Sequence, residues 1–177
     1  LAFMENYDPS VLPKETYLLY EIKWSNSKRP WQSCCHSTHT EHAEIHFIED
    51  VFQEQRSDPS VHCSITWYMS WSPCADCCRA IRDFLKEQPN VNLVIYVARI
   101  YWHKEENNRQ GLRDLVSSGV NVHIMSLPGN TSQVISGQDR TWGLWSSVHE
   151  PLPHELKAKW LLAKAVEQTH LTLSLFT

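Results

Sequence analysis

The segment Val91–Val97 (VNLVIYV) is apolar at almost every position. A strand with one wet face alternates in polarity. A nearly unbroken apolar run is typical of a strand covered on both faces, as in the middle of a parallel sheet. Two more segments rich in strand formers stand on either side of it, Val61–Ser70 (VHCSITWYMS) and Val120–Met125 (VNVHIM). The stretch after Ser70 reads as a helix, with Ser72 as N-cap, Pro73 at the first position and apolar residues at 77, 81, 84 and 85, ending near Glu87. Gln110–Ser118 reads as a second helix, ended by Gly119. The order strand–helix–strand–helix–strand predicts an α/β sandwich with parallel neighbours.

The rest of the chain is consistent with one such domain over residues 1–177. Thr16–Trp24 (TYLLYEIKW) reads as a strand, and the polar, Cys/His-rich stretch 25–41 as a hairpin plus a loop. His42–Gln53 has apolar positions 43, 47, 48, 51 and 52, a helical period, and Asp58-Pro59 breaks the chain after it. Beyond Met125 the pattern fades: residues 126–141 are polar and Gly/Pro-bearing, and His154–Gln168 reads as a last amphipathic helix. Six cysteines in 177 residues are too few for a disulfide framework, and no apolar run nears the roughly 20 residues of a membrane helix. The expected setting is therefore reducing, cytoplasmic and/or nuclear, with no membrane. A formal charge of −4 excludes a uniformly basic nucleic-acid binder, although a local basic groove remains compatible with it.

Three cysteines crowd into "WSPCADCC", residues 71–78. Cys74 falls in the first turn of its predicted helix, where the helix dipole favours a thiolate and hence a metal ligand. Cys77 and Cys78 both return close to its face, about 60° and 40° away, so helix geometry leaves either as its partner. "HAE", His42 to Glu44, opens the preceding helix. His42 supplies a third donor, and Glu44 at a helix start can turn into the same cavity. One His and two Cys leave a fourth position open, as catalytic zinc sites do, and a carboxylate beside it can carry a proton. Each motif alone is weak. Together, H-x-E opening one helix, a strand, and P-C-x-x-C opening the next form the signature of the zinc deaminases. The competing reading is a closed structural zinc, with His36, His39, Cys34, Cys35, Cys63 or Cys78 as fourth ligand.

"HAE", "SITWYMSWSPC" and "VIYVARIYW" resemble the AID/APOBEC polynucleotide cytidine deaminases, and "LLYEIKW", "CSITW" and "LVIYVARIYWHKEENNRQGLRDLVSSGV" are most similar to their apolipoprotein-B-mRNA-editing branch. The resemblance covers about residues 14–125. It implies the cytidine deaminase fold, a five-stranded mixed sheet flanked by helices on both faces. It implies Zn2+ held by His42, Cys74 and Cys77, with Glu44 as proton shuttle, and cytosine-to-uracil conversion in single-stranded DNA or RNA. Trp71 and Tyr101 would wall the pocket around the flipped base, and Arg99 would be structural or phosphate-facing. The resemblance weakens after Met125, where "SLPGNTSQVISG" replaces the family's aromatic pair and Cys-Trp.

Two other functions compete: a free-nucleoside deaminase and a zinc-stabilised nucleic-acid-binding or interaction protein without catalysis. A homo-oligomer is compatible with all three. For an acidic chain to grip a polyanion, its cations must gather on one side. Some of Lys14, Lys28, Arg29, Arg99, Lys104 and Arg109 are expected in a groove beside Trp71 and Tyr101, with Arg29 and Lys104 foremost.

Overall fold

The computed structural model describes residues 12–125 except Ser57, together with the backbone of Gln133–Val134. Strand β1, Tyr17–Trp24, turns through a tight connection into β2, Trp31–His36, and the two pair antiparallel with Leu19 opposite Cys34. Helix α1 follows in three joined pieces: Ala43–His46, a π turn over Phe47–Val51, and Phe52–Gln55. Strand β3, Cys63–Met69, leads to α2, Ala75–Glu87. Then come β4, Val91–Val97; α3, Glu106–Ser117; and β5, Asn121–Ile124.

The sheet order is β2-β1-β3-β4-β5. β1 runs antiparallel to β3, with Leu18 opposite Met69 and Trp24 opposite Cys63. β3, β4 and β5 are parallel, as the α/β order predicted. This is the expected five-stranded mixed sheet. A two-residue strand β6, Gln133–Val134, adds to its edge antiparallel to β5, inside the stretch read from sequence as patternless.

Alternation decides which face each strand buries. Leu18, Tyr20 and Ile22 of β1, Ile65, Trp67 and Met69 of β3, Leu93, Ile95 and Val97 of β4 and Val122 of β5 all point to one face. Phe47 and Phe52 of α1, Ile81 and Phe84 of α2, and Leu112 and Leu115 of α3 cover it. Edge-on ring contacts lock this layer: Phe47 on Trp67 and Phe52 on Phe84, each with centroids 4.9 Å apart. Such pairs contribute about 0.5–1.5 kcal/mol beyond the area they bury. The second contact ties α1 directly to α2, the two helices that carry the site below.

The opposite face carries Tyr17, Leu19, Tyr68 and Tyr96, with Tyr68 and Tyr96 stacked at 5.2 Å and Tyr96 and His123 at 4.8 Å. Among the described residues no helix covers it. The helix expected over His154–Gln168 lies outside them. No described helix is long and apolar enough to cross a membrane.

Two local expectations are corrected. Cys74, not Ser72, is the N-cap of α2, because the Ser72 hydroxyl is engaged elsewhere and accepts the Tyr101 N–H at 3.0 Å. Helix α3 begins at Glu106, four residues before the expected start. Its first turn is polar, so no apolar period announced it.

Candidate functional site

The site lies at the C-terminal ends of the parallel strands, where ligands bind in open α/β sheets. His42 is the N-cap of α1 and Cys74 the N-cap of α2, so two helix starts converge there. His42 Nδ1 stands 3.1 Å from Cys77 Sγ and 3.6 Å from Cys74 Sγ. The three donor atoms all lie within 4.8 Å of one another. A tetrahedral zinc with ordinary Zn–N and Zn–S lengths spaces its nitrogen and sulfur ligands roughly 3.5 Å apart. The donor set therefore fits zinc in both chemistry and spacing. Among the described residues no fourth His, Cys, Asp or Glu joins the group, which leaves a coordination position open. His42 is exposed, so that position is reachable from solvent.

Cys77 and Cys78 have different surroundings. Cys78 turns into the core, its thiol directed at the Pro73 carbonyl at 3.7 Å, while Cys77 faces His42. The two site thiols are hydrogen-bonded to each other. The hydrogen bond from Cys77, helped by the backbone N–H groups of Cys77 and Asp76 and by His42, lowers the Cys74 thiol to about 5. Cys77, as the donor of that bond and by burial, is raised. Cys34, Cys35 and Cys63 stay outside the group.

Glu44 is the second residue of α1 and is 3% exposed. Burial pushes its carboxyl up to about 7, with the Cys74 charge adding to the rise and His42 and Cys77 opposing it. A carboxyl poised near neutrality can both take and return a proton. It is not among the grouped donors, and its carboxyl is hydrogen-bonded to the Cys77 side chain.

The aromatic wall is held by a hydrogen-bonded frame. Trp71 donates its indole N–H to the Pro13 carbonyl at 3.0 Å and meets Tyr101 edge-on, with centroids 6.3 Å apart. The Ser72 N–H donates to the Arg99 carbonyl at 2.7 Å, stitching the two wall segments together. Arg99 is buried, donates to the Ser70 carbonyl at 3.2 Å and lies 5.5 Å from the Trp71 ring, a bracing role. Sequence reasoning passed over Trp102, which is 63% exposed, sits edge-on to Tyr101 and has a φ of 39°. Its only sequence signal was its place in "ARIYW".

The cations divide. Lys104 is exposed in the turn after Tyr101, and Lys14 is exposed next to Pro13, the Trp71 acceptor. Arg109 is engaged with Glu106 and with the carbonyls of His103 and Lys104, so it braces that turn. Arg29 and Lys28 are not brought to the site. Trp24 pairs with Cys63 at the start of β3, and the Ser25 N–H reaches the His62 carbonyl. The β1–β2 turn is thus at the far end of the sheet from Trp71, about 20 Å away at ~3.3 Å per strand residue.

The comparisons with known proteins meet this geometry. The family described as APOBEC4-like AID/APOBEC deaminase matches residues 6–140. The chain belongs to the AID/APOBEC deaminases. Among curated AID/APOBEC proteins, it is 56% identical over 119 residues to the C-to-U-editing enzyme APOBEC-1 of Pongo pygmaeus and to that of Homo sapiens, covering 67% of this chain and 50% of each relative. It is 32% identical over 140 residues to the DNA dC-to-dU-editing enzyme APOBEC-3H of Felis catus, covering 77% of this chain and 72% of that protein. The chain spans about half the length of the APOBEC-1 relatives. The apolipoprotein-B-editing branch of the AID/APOBEC family, expected from the motifs, fits these identities.

Proposed function

We propose that this AID/APOBEC domain hydrolyses cytosine to uracil in single-stranded DNA or RNA, with zinc held by His42, Cys74 and Cys77. The observation that carries the reading is the buried Glu44 beside an open N,S,S donor set, next to the edge-on ring pair Trp71 and Tyr101. The relatives named for C-to-U and dC-to-dU editing support the same reaction class.

A zinc ion bound there supplies Lewis acidity, which acidifies water for attack. The residues of the chain do the rest. Water adds at C4 of cytosine and ammonia leaves, so the oxygen comes from water and two proton transfers are needed. Glu44 accepts the proton that water loses and delivers it to the ring nitrogen. It then takes the proton of the hydroxyl now on C4 and passes it to the departing amine, leaving the C4 carbonyl of uracil. Trp71 and Tyr101 flank the base once it is turned out of its strand. Trp102 offers a neighbouring base a stacking surface, and Lys104 and Lys14 meet the phosphates.

The exposed His42 and the relative named for DNA editing favour a polynucleotide over a free nucleoside. Incubation with cytosine-containing single strands, duplex and free cytidine tests the proposal. Uracil is expected from single strands alone. Turnover of free cytidine at the same rate would make it a nucleoside deaminase, and no turnover by zinc-loaded protein would make it a binding protein.

A further inference from the structure

A helix start leaves backbone N–H groups without intrahelical partners, and the N-cap side chain ordinarily satisfies one of them. Helix α2 departs from that pattern. Its N-cap is Cys74, a sulfur in place of the usual oxygen acceptor. A metal ligand is committed elsewhere. The first free donor of the helix, the Ala75 N–H, goes instead to Asn108 Oδ1 on α3, at 2.9 Å.

Asn108 does not act alone at this contact. Gly111, one turn further along α3, has no side chain, and a Cβ there would stand 2.9 Å from Ala75 Cα. Residues three apart share a helix face. The same face of α3 thus presents an amide oxygen to the nitrogen of Ala75 and a bare backbone to its Cα. Both contacts fall on the residue joined to Cys74.

We infer that Asn108 is a positioning residue for the metal centre: it caps α2 from outside and fixes the backbone that aims the Cys74 sulfur at the site. The inference rests on the metal centre proposed above and assigns its outer support. Groups that orient metal ligands through hydrogen bonds typically change metal affinity about 10–100-fold when removed. Leucine at 108 keeps the volume and loses the acceptor. Aspartate keeps the acceptor.

The test uses the full chain loaded with cobalt in place of zinc, whose thiolate charge-transfer and ligand-field bands report the geometry at the sulfurs. Metal affinity is measured by competition with a chromophoric chelator. Asn108→Leu is expected to shift the bands and weaken metal binding at least about 10-fold, and Asn108→Asp to restore both. If Asn108→Leu is recovered only unfolded, Asn108→Ser carries the comparison, since its hydroxyl stops short of the Ala75 N–H. A variant with a lower melting temperature but wild-type bands and affinity would overturn the inference, because Asn108 would then be structural only. A wild-type chain that develops no cobalt–thiolate bands would remove the metal centre itself, and the inference with it.

Discussion

His42 Nδ1 and Cys77 Sγ are 3.1 Å apart, although 35 positions separate them in the chain. The neighbouring Cys78 points away into the core. Cys77→Ala is therefore expected to abolish stoichiometric zinc, as read by metal analysis of the purified protein. Cys78→Ala should keep the metal and lose about 1 kcal/mol of stability, an ordinary cost for trimming a small core side chain.

Glu44 is buried beside the donors without joining them. Glu44→Gln keeps the shape and removes the proton carrier. Zinc content and melting temperature should stay within error of wild type, while deamination falls by about 10²–10⁴-fold, the usual share of general acid–base catalysis. Loss of zinc in this variant would put Glu44 in the coordination shell instead.

The cations at the two ends of the sheet should behave differently. Lys104→Glu and Lys14→Glu are expected to weaken single-strand binding and to flatten its dependence on salt, since each phosphate contact contributes to the slope. Arg29→Glu, at the far end, should leave both nearly unchanged. A fluorescence-anisotropy titration of a labelled single strand at several salt concentrations separates the two groups. Equal effects at both ends would mean that the strand wraps further than the aromatic wall.

Trp102 combines an exposed ring with a left-handed backbone, a conformation that costs a bulky L-residue about 1–2 kcal/mol and that asparagine tolerates better. Trp102→Asn should raise the melting temperature while weakening strand binding by about 1–3 kcal/mol, the value of one base stack. Calorimetry and the same anisotropy titration would have to move in opposite directions.

Gly111→Ala tests the approach of α3 to α2. Alanine favours a helix by about 1 kcal/mol over glycine. Its methyl would stand 2.9 Å from the Ala75 backbone, a contact that no flexible side chain can relieve. Overpacking of this kind costs about 1–3 kcal/mol, so the net expectation is a lower melting temperature.

Much of this arrangement was legible in the residues. The run at Val91–Val97 marked a strand in the middle of a parallel sheet, and β4 has those bounds between β3 and β5. Its expected cover on both faces is seen on one only, since Asn92 is exposed, Val94 and Tyr96 are half-buried, and no described helix lies over them. The grouping of His42, Cys74 and Cys77 was legible because helix starts are written locally, by "HAE" and "SPC". What escaped depends on tertiary partners. Ser72 has every local mark of an N-cap, yet Tyr101, 29 residues on, takes its hydroxyl. Arg29 counts as a cation in any sequence tally, but only the antiparallel register of β1 on β3 tells which end of the sheet its turn occupies. Strand β6 has two residues, too few for any period to show.

The two helix starts are joined in sequence through β3. His42 arrives on α1 before β3, and Cys74 and Cys77 on α2 after it, while β3 itself pairs with β1 on one side and β4 on the other. The donors cannot meet until that central strand is seated. In the unfolded chain, His42 and Cys74 are tethered by a loop of 32 residues, whose closure must be completed before the metal contributes anything. With zinc held as proposed, its capture is expected to follow the seating of β3, and the rate at which a refolding chain takes up cobalt is expected to report that step.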